Sequence, residues 1–159
     1  MKILDMVNEQ MNFELESAYV YRGMAIYAAY EDFDGFAAWL DAQVREEIEH
    51  SEKMKAFLQE VGYKPTYRQM PKPEDSYESL LDVMKTALDH EKLVTKKITE
   101  IVHAAREEKD ERVISFLQGF IDEQVEEEDT FSKLVTRLER IHGNMGALYF
   151  MDSQMGKRG

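Results

Sequence analysis

The residues best suited to chemistry are acidic, and one histidine stands among them. Glu47-Ile48-Glu49-His50 sets a carboxylate and an imidazole at i and i+3, which is one face of a helix. Glu14 and Glu91 each interrupt an otherwise apolar stripe, and Gln124 with Glu127 interrupts another. An ionised carboxylate buried without a partner is very costly, and neighbouring like charges raise each other's pKa. No Lys or Arg falls on these stripes, so bound cations are the simplest compensation. Carboxylate oxygen with one imidazole suits Fe, Mn or Zn and lacks the softness that favours Cu(I). Four glutamates and one histidine aimed at one interior fit two metal ions better than one.

The elements that must position these residues read as helices. Each stripe has the three-four spacing of a bundle seam. The first is Leu4, Val7, Met11, Glu14, Ala18, Tyr21, Ala25 and Ala28. The second is Phe36, Leu40, Gln43, Glu47, His50, Met54, Phe57 and Val61. The third is Leu80, Met84, Ala87, Glu91, Val94, Ile98, Ile101 and Ala105. The fourth is Val113, Leu117, Phe120, Gln124, Glu127, Phe131, Leu134 and Leu138. Helices are expected near 3–31, 35–61, 77–106 and 111–141, with a short fifth near 145–154. Asp34 is the expected N-cap of the second, Asp75 with Glu78 a capping box for the third, and Asp110 the cap of the fourth, which Gly143 ends. No segment alternates at period two, so strands are not expected.

Link lengths set the topology. Short links near 32–34 and 107–110 make antiparallel hairpins. The link at about 62–76 carries all three prolines, Pro65, Pro71 and Pro73. Fully extended it reaches on the order of 45 Å, and the second helix is roughly 40 Å long. It can therefore run the length of the bundle and leave the second and third helices parallel. An all-α, four-helix bundle with one long crossover and a short fifth helix is the expected fold, in one domain spanning 1–159.

The polar interruptions share one level. Glu14 and His50 lie 18 residues either side of residue 32, and Glu91 and Glu127 lie 18 either side of residue 109. Hairpin partners at that separation meet about 27 Å from the turn. Glu14 to Glu91, Glu47 to Gln124 and His50 to Glu127 are each 77 residues, so the second half reads as a shifted copy of the first. Where the first half has Glu-x-x-His, the second has Gln124-Val125-Glu126-Glu127. Of the acidic run Asp122, Glu123, Glu126, Glu127, Glu128 and Asp129, only Glu127 is expected to face inward. His90, His103 and His142 lie off the seams and are expected at the surface.

Bulk properties narrow the classes. Zero cysteines exclude disulfides, Cys-ligated zinc, iron–sulfur clusters and thiol catalysis. A net charge of −12 argues against nucleic acid and anionic membrane as partners. No apolar run approaches the roughly 18 residues of a membrane span. Met1 to Gln10 lacks the basic-then-apolar layout of a signal peptide, so a cytoplasmic location is expected.

With these residues in place the chain resembles the bacterial-type non-haem ferritins. The matching stretches are Asn8-Glu9-Gln10-Met11-Asn12-Phe13-Glu14-Leu15, Glu46-Glu47-Ile48-Glu49-His50, His90-Glu91-Lys92-Leu93, Glu123-Gln124-Val125-Glu126-Glu127-Glu128 and Gly146-Ala147-Leu148-Tyr149-Phe150. The resemblance implies a homo-oligomeric cage, typically of twenty-four subunits, that takes Fe(II) and O2 (or H2O2) and stores ferric mineral. It implies a ferroxidase centre in each bundle. Glu14, Glu47 and His50 would hold the first iron. Glu47, Glu91 and Glu127 would hold the second, with Glu47 bridging and Gln124 nearby. Glu46, Glu123 and Glu126 match a third, inner-surface iron site, and Tyr21 matches a tyrosine beside the centre. The acidic three-fold channel of animal ferritins is not evident at Glu111-Arg112-Val113-Ile114-Ser115. No haem is expected. A bacterioferritin would carry two Glu-x-x-His motifs and a haem-ligating Met directly after the first Glu, where this chain has Ile48. A rubrerythrin-like peroxidase would carry a Cys-rich iron domain. A di-metal oxidase of organic substrates would normally be longer, and a purely structural bundle would not align four polar levels.

Overall fold

A computed structural model describes residues 2–158; Met1 and Gly159, the ends of the expected 1–159 domain, lie outside the described residues. The elements are α1 (Lys2–Tyr30), α2 (Asp34–Glu60), α3 (Leu80–Glu107), α4 (Glu111–Arg140) and α5 (Met145–Met155). The expected all-helical bundle with a fifth helix is observed. No described helix is long and apolar enough to cross a membrane.

The two hairpin turns are geometric duplicates at the same 77-residue offset as the site residues. Asp32 and Lys109 both take positive φ, 62° and 55°. Phe33 N donates to Ala28 O, and Asp110 N donates to Ala105 O, each at 2.8 Å. This left-handed step two residues past the last helical residue satisfies its orphan carbonyls and reverses the chain. The repeat therefore extends from the sequence into the backbone.

The crossover lies along α1. Asn8 Nδ2 donates to Thr66 O at 3.1 Å, and Thr66 N donates to Asn8 Oδ1 at 2.9 Å. One turn on, Arg68 N donates to Asn12 Oδ1 at 2.8 Å. Farther up, the carbonyl of Glu74 passes so close to Gly23 that a Cβ there would sit 2.0 Å from its oxygen. Thr66, Arg68 and Glu74 thus pass Asn8, Asn12 and Gly23 in order. The crossover runs parallel to α1 and delivers α3 to the far end of the bundle, so α3 is parallel to α2.

Three local expectations need correction. α3 starts at Leu80 rather than near 77, because Ser79 is the cap that works: its hydroxyl accepts from Asp82 N at 3.0 Å. The Asp75–Glu78 box does not form, and Glu78 N donates instead to Asp82 Oδ2 at 3.0 Å. Asp34 is not the N-cap of α2; Phe33 is, and it makes no side-chain cap. The missing acceptor comes from α5, where Asp152 Oδ1 takes the N–H of Phe36 at 2.8 Å. Gly35 permits this approach, since a Cβ there would meet Asp152 O at 1.7 Å. Asp110 does cap α4, accepting from Val113 N at 3.4 Å. α4 closes at Arg140, short of Gly143, whose φ of 81° turns the chain into the Asn144 cap of α5.

The seams are buried as expected except at Glu127, which is half-buried, and at the far end of α2, where Leu58 turns inward and Phe57 and Val61 are half-exposed. The core is two apolar clusters. One gathers Tyr21, Phe36, Leu40, Met84, Phe131 and Leu134. The other gathers Met11, Met54, Val94, Ile98, Leu117 and Phe120. Each large apolar side chain so buried contributes roughly 1.5–3 kcal/mol. Glu14, Gln43, Glu47, His50, Glu91 and Gln124, all buried, carry the polar positions of the same seams.

Candidate metal centre

All four long helices contribute to this level: α1 Glu14, α2 Glu47 and His50, α3 Glu91, and α4 Gln124 and Glu127. Glu14, Glu47 and His50 each offer an atom within 4.8 Å of the others, and all three are buried. His50 Nδ1 faces Glu14 Oε1 at 3.3 Å and Glu47 Oε2 at 3.9 Å. Its other nitrogen, Nε2, faces Glu123 Oε2 at 2.8 Å. Glu123 therefore holds the ring with Nδ1 toward the trio, as carboxylates behind metal-bound histidines do.

Amides satisfy the carboxylates. Gln10 Nε2 donates to Glu14 Oε2 at 2.7 Å. Gln43 Nε2 donates to Glu47 Oε1 at 3.0 Å and to Glu127 Oε2 at 3.1 Å. Gln124 Nε2 donates to Glu91 O at 3.1 Å and faces Glu91 Oε1 at 3.3 Å. Tyr21, fully buried, donates its hydroxyl to Glu91 Oε2. No buried side-chain nitrogen or oxygen among the described residues lacks a partner.

The electrostatics favour protons or cations. Burial, reinforced by Glu14, Glu91 and Glu127, holds the Glu47 carboxyl well above its ordinary range. Burial pushes Glu91 up to about 7 against the hydrogen bonds from Tyr21 and Gln124. Glu127 is also pushed to about 7, by burial and then by Glu91 and Glu46. Burial alone would lower the His50 imidazole, but Glu14 and Glu123 outweigh it and raise it to about 9. Burial and the neighbouring Glu91 and Glu47 carboxylates keep Tyr21 a neutral phenol. Bound cations could replace these protons, since ionised carboxylate and neutral imidazole are the ligating forms.

A family model described as a ferritin-like domain matches residues 4–141 of this arrangement. The chain belongs to the ferritin family. The bacterial non-heme ferritin of Staphylococcus aureus is 35% identical over 98% of this chain and 94% of its own. That of Escherichia coli is 33% identical over 97% and 93%. An open-pore ferritin of the archaeon Archaeoglobus fulgidus superposes with a TM-score of 0.99 at 35% identity, covering 100% of this chain and 98% of that one. A humanised archaeal ferritin gives 0.98 at 37%, covering 99% and 97%.

Within the ferritin bundle the sequence-predicted residues divide. Glu14, Glu47 and His50 meet as a trio. Glu91 joins the level through Tyr21 and Gln124, and Glu127 joins through the shared amide of Gln43. Glu46, Glu123 and Glu126 line an open cleft of about 240 Å³ together with Glu49, His50, Lys53 and Glu127. Glu127 is half-buried, so of the acidic run it does turn inward, although Glu128 also reaches Thr95 Oγ1 at 2.6 Å. Tyr21 packs on Phe131, with ring centroids 5.9 Å apart. His90 is not a surface residue: it is half-buried, stacks on Phe13 at 5.3 Å and contacts Ser17 Oγ at 2.7 Å. It sits in the groove where α1 meets α3, one residue off the seam. His103 and His142 are exposed as expected.

Sequence reading missed three contributors. Gln10 lies one residue before the Met11 seam position, and only its i+4 spacing from Glu14 signals it. Gln43 stood on the seam but had no assigned partner. Arg158 comes from beyond α5 and contacts Glu46 at 2.9 Å; no periodicity reaches it.

Proposed function

We propose that this iron-storage ferritin oxidises Fe(II) with O2 at a di-iron centre inside each subunit and deposits the ferric product within a cytoplasmic homo-oligomeric cage. The observation that carries the reading is the buried Glu14–Glu47–His50 trio, with Glu91 and Glu127 beside it at the same level of the bundle. Glu14, Glu47 and His50 hold the first Fe(II). Glu47, Glu91 and Glu127 take the second, and Glu47, between the two sets, bridges. Each Fe(II) gives one electron to O2, which with two protons leaves as H2O2. The bundle supplies orientation and negative charge, and the charge favours Fe(III) over Fe(II). The site carries acceptor oxygens and one imidazole and no thiolate. Iron is its substrate, and no haem takes part. Twenty-four subunits is the assembly that the family resemblance implies, each subunit one ferritin-like domain.

The test is aerobic addition of Fe(II) to metal-free protein, followed by near-ultraviolet absorbance and by iron retained in solution. Fast oxidation with soluble iron is expected for the wild type. Glu47→Ala and His50→Ala should lose the fast phase while keeping their helical spectrum, because the two apolar clusters still hold the bundle, although His50→Ala strips Glu14 of its imidazole partner and lowers stability. Wild-type rates in both variants would refute the assignment. Light scattering checks the cage, and a stoichiometric Soret band would refute the haem-free reading.

A further inference from the structure

The stretch after α5 returns to α2 beside the proposed centre. Arg158 lies along a single α2 stripe at helical spacing, Trp39, Gln43 and Glu46. Its guanidinium carbon sits 4.3 Å from the centroid of the Trp39 ring, the chain's one tryptophan. Nη1 donates to Trp39 O at 3.1 Å. Nη2 donates to Gln43 Oε1 at 3.0 Å and contacts Glu46 Oε1 at 2.9 Å. Aromatic face, carbonyl, amide and carboxylate thus hold one cation.

Two consequences follow from donor and acceptor identity. An amide offers its oxygen to one side and its NH2 to the other. By taking Gln43 Oε1, Arg158 fixes the NH2 toward Glu47 Oε1 and Glu127 Oε2. By taking Glu46, it also occupies one of the carboxylates lining the inner cleft with Glu123 and Glu126. A cation arriving in that cleft must compete with a guanidinium already there.

We propose that Arg158 is a tethered counter-cation: it occupies Glu46 until a metal ion in the inner cleft displaces it, and it positions Gln43 against the buried centre. The proposal rests on the proposed centre and on reading the Glu46–Glu123–Glu126 cleft as the third iron site that the family resemblance implies. Displacement frees Glu46 and the Gln43 amide together, so filling of the cleft is felt at Glu47 and Glu127. Arg158 touches no reacting atom and is a positioning residue.

The experiment is an anaerobic calorimetric titration of the assembled, metal-free protein with Zn(II), a redox-silent probe, with Trp39 emission recorded in parallel. In the wild type, ions fill the buried centre first. A weaker step follows, accompanied by a change in Trp39 emission as the guanidinium leaves the ring. In Arg158→Gln the weaker step becomes roughly three- to tenfold tighter, the ratio expected for losing a partly exposed hydrogen bond to a charged group, and the emission change at that step disappears. Arg158→Lys restores the weaker binding. Identical weaker steps in wild type and Arg158→Gln, or an emission change retained without Arg158, overturns the proposal while leaving the centre standing. Failure of the wild type to take up Zn(II) at all refutes the centre itself, and the counter-cation with it.

Discussion

Metal bound at the proposed centre would displace protons, and the raised groups set how the number changes with pH. Ligating carboxylates and imidazole bind in their deprotonated forms. With His50 raised to about 9 and Glu91 and Glu127 to about 7, these three groups hold about three protons at pH 6, about two at pH 7 and about one at pH 8. Glu47, also held well above its ordinary value, adds up to one more. The sign is the same for all: each group is more protonated in the metal-free fold than in the unfolded chain, so each contributes stability at low pH. For the two carboxyls that contribution is lost as pH rises through about 7, and for His50 as it rises toward about 9. Zn(II) binding measured by calorimetry in buffers of different ionisation enthalpy gives the proton count directly. The expected result is a release that falls by roughly two protons per centre between pH 6 and pH 8, with His50→Ala about one proton lower at pH 7. A release that is independent of pH, or that rises with it, would refute the assignment of these raised groups as ligands.

The two proposed iron positions should fill unequally, because the first would have an imidazole and the Glu14–Glu47–His50 trio and the second carboxylates alone; brief Fe(II) soaks read by anomalous scattering should show partial metal at the Glu91–Glu127 position, and equal filling across the series would refute this. Replacing Glu123 by Ala removes the acceptor behind His50 Nε2 and should weaken Zn(II) binding at the first position by about 10- to 100-fold, a titration that leaves affinity unchanged being the contrary result. Tyr21→Phe deletes the donor to Glu91 and should alter oxidation kinetics in stopped flow while iron binding persists; superimposable traces would reduce Tyr21 to packing. Gly35→Ala forces a methyl onto the Asp152 carbonyl and should destabilise the docking of α5 by about 1–3 kcal/mol, seen as faster amide exchange at Phe36 and through α5, with unchanged exchange as the refutation.

Much of this was legible before any coordinates, for reasons that name its limits. Period 3.6 and the hairpin arithmetic around residues 32 and 109 found the bundle and brought Glu14 to His50, because a helix converts spacing into height with little error. Crossover length gave the parallel α2–α3 pair. Capping was read less well: Ser79 displaced the Asp75–Glu78 box, and the α2 cap came from Asp152, 116 residues away. A local rule sees only local donors. The site's polar surround was missed for the same reason. Gln10 and His90 stand one residue off their seams, where periodicity assigns solvent, yet a neighbouring helix covers them. Arg158 lies outside every seam, and only folding places it against Trp39.

The division of the core into two apolar clusters bears on mechanical integrity. Hydrocarbon packing holds each end of the bundle, and it holds both ends whether or not metal is present. At the middle, when metal is absent, the links between helices are polar ones such as the His50–Glu14 ion pair and the Tyr21–Glu91 hydrogen bond. Links of this kind contribute about 1.5–3 kcal/mol each, less than the many buried apolar side chains at each end supply together. An iron pair ligated by α1, α2, α3 and α4 would be a cross-link through all four helices at the one level that packing leaves weak. Cargo in transit would then act as a temporary rivet, and a subunit would be tightest at the waist while it is working.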